Sequence, residues 1–500
     1  MTKDDTKESS GKVSHVSKDE VGSKARKGVK WTALQIIARN ILSLGTTAVL
    51  ARLLTPEDFG LIGMVATLTA LLMVFSDMGL SWATIQRQAL SKIQVSNLFW
   101  INLFVGLFLW VICIFFSPLV ASFYDEPKLT AVTAVLGAGF LLSGLAAQPI
   151  ALLNRSMNYK AVAQIEVLSI IAGAIAALYA AYTGLGYWAL VIQGLTSSSF
   201  RAVLAIRMSK ISLYAPKRNV DTLSLVSFGG TLALNGLLIY MARNLDSVLI
   251  GKYWGAEELG YYNRAYFLML LPSMLAAGVL NKLMVPSLSA FQDDPQRFGN
   301  AYRKALVLIA LVGCPMALGL ALTADEMVML VYGKQWQPVV PILLWLSIAS
   351  ITQPLFNTTG WLFTSVGKAK HYLWLTLISG VLLTISFFFA ISGGGVRIAQ
   401  TYGIVMGIII FFPSLWYAHN VANISFKYSL KTLTPIALSL LLMGITVSLI
   451  DILLNNYYLS WISILIIKII SGVISYVLYL YLFAKKLMKD ILKSLKILKS

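Results

Sequence analysis

Long apolar segments, each separated from the next by a short polar stretch, run through almost the whole sequence. Many reach about twenty residues, the length a helix needs to cross a bilayer core of roughly 30 Å. The stretch 80–95 is too polar to cross and is predicted to lie at the membrane interface. The pattern predicts an all-α polytopic membrane protein with about fourteen transmembrane helices. The predicted spans are residues 30–53, 58–78, 96–119, 130–153, 161–183, 185–206, 223–250, 259–290, 303–323, 338–365, 370–392, 398–418, 432–454 and 457–483.

The composition excludes a soluble protein of this length. Among 500 residues, 58% are hydrophobic and only 12% are charged, and the mean hydropathy is +0.76. A soluble chain is nearer one quarter charged. The few charges are concentrated at the two ends and in the short segments between apolar runs, as expected for loops outside a bilayer.

The excess of basic residues predicts the orientation of the chain. The net charge is +19, from 40 Lys and Arg against 21 Asp and Glu. In a soluble protein this excess would suggest nucleic acid as a partner, but cytoplasmic loops of membrane proteins collect Lys and Arg. Sixteen basic residues fall in loops and span ends on the predicted inner side and five on the outer side. Both termini are therefore predicted to be cytoplasmic, and nucleic acid is not a predicted partner.

The two ends of the chain are polar in different ways. Residues 1–27 lack the apolar core of a signal peptide and are predicted to form a disordered cytoplasmic tail. Residues 484–500 alternate lysines with apolar residues at helical spacing, which predicts a basic amphipathic helix on the anionic inner leaflet. Cys113 and Cys314 lie in separate apolar runs, and the three histidines are far apart. The sequence therefore predicts no disulfide, metal site or other cofactor.

An internal repeat divides the chain. Residues 49–60 align with residues 249–260 without a gap, and a cation, an acidic pair, an apolar residue and a glycine coincide at an offset of 200. Each copy links the first predicted span of a six-helix bundle to the second, on the outer side. The two halves then run in the same sense and leave a cavity between them. The predicted parts after the tail are a bundle at 28–207, a cytoplasmic linker at 208–222, a bundle at 223–420, two extra helices at 421–483 and the basic tail at 484–500.

The two copies of this repeat also resemble a known family. The segment 243–265, beginning Arg-Asn-Leu-Asp-Ser-Val-Leu-Ile-Gly, resembles the seventh-helix signature of Wzx-type polysaccharide flippases. The segment 50–60, Leu-Ala-Arg-Leu-Leu-Thr-Pro-Glu-Asp-Phe-Gly, is similar to the matching segment after their first helix. These flippases form the polysaccharide branch of the multidrug/oligosaccharidyl-lipid/polysaccharide exporter superfamily, and the resemblance covers about residues 28–420. It implies an inner-membrane transporter that flips an undecaprenyl-diphosphate-linked oligosaccharide to the outer leaflet by alternating access, for lipopolysaccharide or exopolysaccharide synthesis.

Arginines inside the predicted spans are the candidate phosphate ligands. A guanidinium stays charged and offers a planar fork of donors that fits phosphate oxygens. In the resembled fold, Arg39, Arg243 and Arg264 belong to helices that border the cavity between the halves. Alternatives remain for two of them, because Arg243 could simply pair with Asp246 three residues later, and Arg264 could extend toward the interface. Arg201 lies nearer the cytoplasmic end and could reach lipid headgroups.

Carboxylates in the spans are the candidates for ion coupling. The sequence has no G-x-x-x-x-G-K-[ST] phosphate loop, so coupling to a proton or to sodium, or passive exchange, is left. A buried carboxylate can exchange a proton because burial disfavours its charged form. Glu166 and Asp246 are the first candidates and Asp77 the third, although Glu166 could instead form a structural pair with a basic residue. Lys468 interrupts the last span outside the repeat and receives no role.

Two rival functions are weighed against the flippase. The first is a drug/ion antiporter of the same superfamily, which the repeat signature and the two extra helices disfavour. The second is a membrane glycosyltransferase or polymerase, which would carry a catalytic residue in a large external loop; no loop here exceeds about twenty residues. The protein is therefore predicted not to be an enzyme. Its predicted partners are the lipid-linked oligosaccharide, membrane lipids and the polysaccharide polymerase machinery.

Overall fold

The computed structural model describes residues 18–76, 80–87, 90–216, 223–278, 280–454 and 459–483. These residues fold into α-helices with short 3-10 and π segments, and no β-strand forms among them. The chain separates into two compact units, Met1–Gly260 and Tyr261–Ser500.

The described residues of the first unit form seven complete helices and the beginning of an eighth. Helices α4 and α5 pack against each other along their length, as do α6 and α7, and α1 packs on α6. The bounds are α1 Lys18–Leu53, α2 Pro56–Ser76, α3 Leu80–Gln86, α4 Lys92–Tyr124, α5 Lys128–Arg155, α6 Tyr159–Tyr182, α7 Trp188–Ser209 and α8 Leu223–Ala277.

In the second unit, the residues that the structure describes form the end of α8 and ten further helices. Helix α10 packs against α12 and α17, and the last two helices, α17 and α18, pack against each other. The bounds are α9 Leu280–Ser289, α10 Pro295–Leu322, α11 Ala324–Val331, α12 Val339–Phe356, α13 Thr358–Ser365, α14 Ala369–Ala390, α15 Gly394–Ile404, α16 Phe411–Val421, α17 Phe426–Leu454 and α18 Trp461–Phe483, with 3-10 turns at Lys334–Trp336 and Ile391–Gly393 and a π segment at Val405–Ile410.

The helices agree with the predicted spans. Each of the fourteen predicted segments overlaps a helix, and eleven helical stretches among the described residues are long and apolar enough to cross a membrane. The all-α polytopic class is confirmed, whereas the number of fourteen spans, the six-helix bundles and the domain boundaries stay predictions.

The first helix starts earlier than the sequence predicted. Helix α1 begins at Lys18, so the last ten residues of the tail predicted as disordered, 18–27, are helical. Lys, Arg and Glu are good helix formers, and they extend the helix beyond the part that a bilayer would accept. The predicted amphipathic helix at 484–500 lies outside the described residues.

Small residues and side-chain caps determine how the helices of the first unit start and pack. The Ser91 hydroxyl accepts a hydrogen bond from the Gln94 N–H at 3.2 Å, and the Gln94 side chain accepts one from the Ser91 N–H at 2.9 Å, which starts α4. Farther along, Gly106 of α4 faces the backbone of Phe140, and Gly144 of α5 faces the backbone of Asn102. Without a side chain at these two glycines, the helix backbones approach closely, as is common between membrane helices.

Candidate functional site

The two copies of the repeat begin their second helices in different ways. In the first copy, Thr55 caps α2: its hydroxyl accepts a hydrogen bond from the Asp58 N–H at 3.2 Å, and Asp58 Oδ2 accepts one from the Thr55 N–H at 2.9 Å. In the second copy the aligned residue is Gly255, where α8 breaks with φ 81° and ψ −175°. This backbone conformation is readily adopted only by glycine. Each copy therefore turns the chain at the same aligned position.

These two segments lie against each other, and their contact is reciprocal. A Cβ atom on Gly60 would collide with the carbonyl group of Ala256, and a Cβ atom on Gly260 would collide with the carbonyl oxygen of Pro56. Gly60 aligns with Gly260 and Pro56 aligns with Ala256, so each copy uses the same pair of positions. The contact is thus locally two-fold symmetric, and it depends on the absence of a side chain at both glycines.

The turn between α4 and α5 binds both copies through ion pairs. Lys128 Nζ lies 2.7 Å from Glu57 Oε1 in the first copy, and Lys252 Nζ of the second copy lies 2.7 Å from Asp125 Oδ2. Asp125 ends α4 in the left-handed conformation, with φ 56°. Both pairs are partly exposed, so their contribution to stability is modest. They nevertheless fix one turn to both repeats.

Arg39 lies inside the first span. It is exposed and follows Lys30, where the 24-residue apolar stretch begins, by nine residues, or about 14 Å along the helix. No hydrogen bond or ion pair joins its guanidinium to another described residue. Among the candidate residues, Arg39 therefore keeps its donors available.

Glu166 and Arg201 form an ion pair. Arg201 Nη2 of α7 lies 2.8 Å from Glu166 Oε1 of α6, and the two side chains are 44% and 17% exposed. Helices α6 and α7 are neighbours in the first unit. The sequence-based alternative of a structural pair therefore has a specific partner, and Arg201 contacts a carboxylate.

Asp246 lies on α8 and is buried, with 2% of its surface exposed. Its Oδ1 accepts a hydrogen bond from the Ser247 N–H at 2.8 Å. The side chain of Arg243 lies outside the described residues, and so does the whole of Asp77. Asp246 is thus the more deeply buried of the two described coupling candidates.

Arg264 belongs to the second unit. Its guanidinium carbon lies 5.9 Å from the centre of the Phe267 ring, and its carbonyl oxygen accepts a hydrogen bond from the Tyr332 hydroxyl at 3.3 Å. Burial raises the pKa of Tyr332 to about 12, against the positive charge of Arg264, which acts to lower it. Tyr332 consequently stays protonated and donates to the backbone of α8.

Arg155 is a buried arginine that the sequence analysis counted only as a loop charge. It is 3% exposed, and its Nη1 donates to the carbonyl oxygens of Thr84 at 2.8 Å and Arg87 at 2.6 Å. These carbonyls lie at the end of the short helix α3, and the last carbonyls of a helix have no partner within the helix. Arg155 therefore anchors α3 to the end of α5.

A cluster of charged side chains in the second unit was also missed. Lys468 Nζ of α18 lies 2.7 Å from Glu326 Oε1 of α11 and 2.7 Å from Asp451 Oδ1 of α17. Lys468 and Glu326 are 5% and 8% exposed. The charge of Lys468 inside a span was the only signal in the sequence, because its partners are distant along the chain.

Lys468 also lines a cavity of about 610 Å³. The cavity wall is mostly apolar and comes from helices α8, α10, α11, α17 and α18, for example Pro315, Met443 and Val447. Among the described residues, no group of His, Cys, Asp and Glu side chains is arranged to hold a metal ion.

Helices long enough to span a bilayer, with ionisable side chains inside them, define a polytopic α-helical membrane protein. Residues 49–341 match the family described as polysaccharide biosynthesis protein, and the chain belongs to this family.

Individual relatives agree with this assignment. The chain is 26% identical over 462 residues to the teichuronic acid biosynthesis protein TuaB of Bacillus subtilis strain 168, covering 91% of this chain and 94% of that protein. It is 25% identical over 390 residues to the lipopolysaccharide biosynthesis protein WzxC of Escherichia coli K12, covering 77% of each. Its fold is similar to the inward closed conformation of the lipid II flippase MurJ, with a TM-score of 0.76 and 16% identity over 92% of this chain and 100% of that one.

Proposed function

We propose that the protein is a transporter and not an enzyme, and that it flips a lipid-linked oligosaccharide across the inner membrane by alternating access. Two findings support this proposal. The chain belongs to the family described as polysaccharide biosynthesis protein, and its fold is similar to that of a lipid II flippase over 92% of the chain. The proposed substrate is an undecaprenyl-diphosphate-linked repeat unit, moved from the cytoplasmic to the outer leaflet for a polysaccharide polymerase to use. Both termini then lie in the cytoplasm.

Arg39 is the first proposed contact for the substrate diphosphate. A guanidinium without a counter-charge near the middle of a span costs at least about 2.5 kcal/mol on insertion scales. Arg39 has no ion partner among the described residues, so an anionic headgroup would supply the charge that the protein does not. Arg243 and Arg264 are proposed as further diphosphate ligands.

Ion coupling is proposed at carboxylates of the predicted spans. Asp246 is the best supported because it is almost completely buried, and Asp77 is retained from the sequence. The pairing of Glu166 with Arg201 favours a structural role for this carboxylate over exchange of a proton or sodium. If Asp246 couples transport, Asp246→Asn abolishes the dependence of flipping on a proton or sodium gradient; unchanged gradient-driven flipping removes it from the mechanism.

The test is a flipping assay with the full chain in liposomes. The probe is an undecaprenyl-diphosphate-linked oligosaccharide with a fluorescent sugar, whose exposure on each leaflet is followed with a membrane-impermeant quencher. Arg39→Ala should slow flipping at least about tenfold, because hydrogen bonds to charged groups contribute about 1.5–3 kcal/mol. Arg39→Lys should recover part of the rate, since an ammonium keeps the charge but loses the planar fork.

Arg207→Ala is the matched control, since Arg207 is also exposed but lies in the last turn of α7. It should flip the probe at the wild-type rate. Wild-type protein that leaves the lipid in place but exchanges a cationic dye for protons would contradict the proposal and favour the drug/ion antiporter. Wild-type flipping by Arg39→Ala would remove only the role of Arg39.

A further inference from the structure

The cluster formed by Lys468, Glu326 and Asp451 holds together three helices of the second unit. The Lys468 ammonium on α18 contacts Glu326 on α11 and Asp451 on α17, each at 2.7 Å. It also donates to the carbonyl oxygen of Leu322 at 3.5 Å. The ammonium has three donors, and these three acceptors use all of them.

Only one of the two carboxylate oxygens of Glu326 accepts a hydrogen bond in this cluster. Its Oε1 accepts from Lys468, whereas its Oε2 is buried and has no hydrogen-bond partner among the described residues. A buried carboxylate oxygen without a donor is unfavourable, because the charge has lost water and gained nothing in exchange. A proton on Oε2 would remove this penalty.

Negative charge exceeds positive charge around Glu326. Asp325 precedes it on α11, and its side chain accepts a hydrogen bond from Gln337 at 3.1 Å. Burial, followed by the negative charge of Glu326, raises the pKa of Asp325, while Lys468 lowers it and Asp451 raises it again. With every group ionised, three carboxylates share the single ammonium of Lys468.

In the part of the chain that the structure describes, the elements packed around Glu326 offer no further cation near enough to balance this charge. Helix α12 carries no titratable side chain, and Lys334 in the adjoining 3-10 turn is exposed. The Tyr332 hydroxyl donates to the carbonyl of Arg264 instead. On α18 the next titratable residue inward is Tyr476, which donates to the carbonyl oxygen of Leu311 at 3.2 Å.

We propose that Glu326 is a proton-binding site whose Oε2 atom takes up the proton. Lys468 and Asp451 determine the affinity of Glu326 for the proton, and the contact between α11 and α18 changes when the proton binds. In the deprotonated state Glu326 attracts Lys468 and ties α18 to α11. Protonation removes that charge, and Lys468 keeps its ion pair with Asp451 on α17 and its hydrogen bond to the Leu322 carbonyl oxygen. The side chain of Asp451 is 41% exposed and Asp325 is exposed, so a proton can reach the site from these two residues; Lys468 also lines the largely apolar cavity.

A proton fits this site better than a metal cation. Sodium would need several oxygen ligands, and the described acidic side chains do not converge as a metal site. The Lys468 ammonium also occupies the space between the two carboxylates. Proton binding does not depend on the transported substrate; only coupling of this proton to transport rests on the proposed function.

Infrared difference spectroscopy tests the proposal on the full chain in lipid nanodiscs. Spectra are recorded as the pH is lowered, and the carbonyl stretch of protonated carboxyl groups is compared between wild type and Glu326→Gln. We expect a band from a buried acid in wild type that is absent from Glu326→Gln. Glu57→Gln, which removes a carboxylate from the partly exposed pair with Lys128, should keep the band.

A second variant keeps the proposal testable if Glu326→Gln does not fold. Asp451→Asn removes one negative neighbour but keeps the pair between Lys468 and Glu326. The buried-acid band should then appear at a lower pH than in wild type, because a nearby like charge favours the protonated form. Identical spectra for wild type and Glu326→Gln, or a band that Asp451→Asn does not move, would overturn the proposal.

Two further measurements, one with added sodium and one of lipid flipping, distinguish proton binding from sodium binding and the proton site from the proposed function. If sodium chloride at constant pH removes the band and choline chloride does not, a cation competes for the site and proton binding alone is wrong. Unchanged spectra in sodium chloride support the proton. A wild-type protein that shows the band but flips no lipid would leave the proton site standing and contradict the proposed function, so the two failures are distinguishable.

Discussion

The reciprocal contact between Gly60 and Ala256 leads to a quantitative prediction for the substitution Gly60→Ala. The new methyl group would meet the backbone carbonyl of Ala256, which cannot rotate away as a side chain could. Helix α2 or α8 must therefore shift. Gly45→Ala on α1 is the matched control, because a Cβ atom there meets nothing within 4 Å.

The expected magnitudes follow from two opposing effects. Replacing glycine by alanine inside a helix stabilises it by up to about 1 kcal/mol, and this effect alone acts at Gly45. Overpacking a close contact typically costs about 1–3 kcal/mol, and a rigid carbonyl places Gly60 at the upper end. Gly60→Ala should thus destabilise the first unit by about 2 kcal/mol. At roughly 2–4 °C per kcal/mol for a domain of this size, its thermal midpoint should fall by about 4–8 °C.

The assay uses the cysteines of the protein as reporters. Cys113 and Cys314 are both buried, at 2% and 3% exposure, and lie in the first and second units respectively. In a Cys314→Ser background, reaction of Cys113 with a thiol-specific fluorophore during heating reports unfolding of the first unit. The midpoints of Gly60→Ala and Gly45→Ala are compared with the parent.

Symmetry adds a second requirement to this prediction. Gly260→Ala should lower the midpoint by a similar amount, because the carbonyl oxygen of Pro56 takes the role of Ala256. The double variant should cost less than the sum, since the first substitution already separates the segments. A midpoint for Gly60→Ala at or above that of Gly45→Ala would refute the close approach.

Three further outcomes are expected. Reversing either charge of the Glu166–Arg201 pair should lower the thermal midpoint, and reversing both should restore it; no recovery in the double variant would contradict a structural pair. Folding raises the pKa of Asp325, so the contribution of this residue to stability is present at low pH and is lost as the pH rises through the folded-state pKa. The thermal midpoint of Asp325→Asn relative to wild type should therefore rise from acidic to neutral pH. A difference that does not change with pH would contradict this. A cysteine replacing Tyr214 should react with an impermeant thiol reagent only after the cells are permeabilised, and labelling of intact cells would contradict a cytoplasmic linker.

The first of the two aligned segments depends on local chemistry. Thr55, Pro56 and Asp58 form a helix start within four residues, and the glycine five residues after Thr55 recurs in the second copy. The offset of 200 does not reveal that the two copies touch. That contact is long-range, and only the three-dimensional structure shows that the aligned glycines serve one symmetric interface.

The charges inside the spans were less predictable for the same reason. Glu166 has its partner 35 residues later at Arg201, while Lys468 has one partner 142 residues earlier at Glu326. A sequence shows that such a charge requires compensation, but not which helix supplies it. The sequence therefore predicted the apolar helices, but it did not predict which charged residues form ion pairs with each other.

The partners of these charges narrow the choice of substrate ligands. Arg155 is bonded to two carbonyls, Arg201 to a carboxylate and Lys468 to two carboxylates, and each of these contacts lies inside one compact unit. A bound diphosphate would have to break such contacts to use those cations, and the free energy of breaking them would weaken binding. Arg39 has no such contact among the described residues. An anionic headgroup could therefore bind there without breaking a contact between described residues, which among these four cations favours Arg39 for the proposed role of diphosphate ligand.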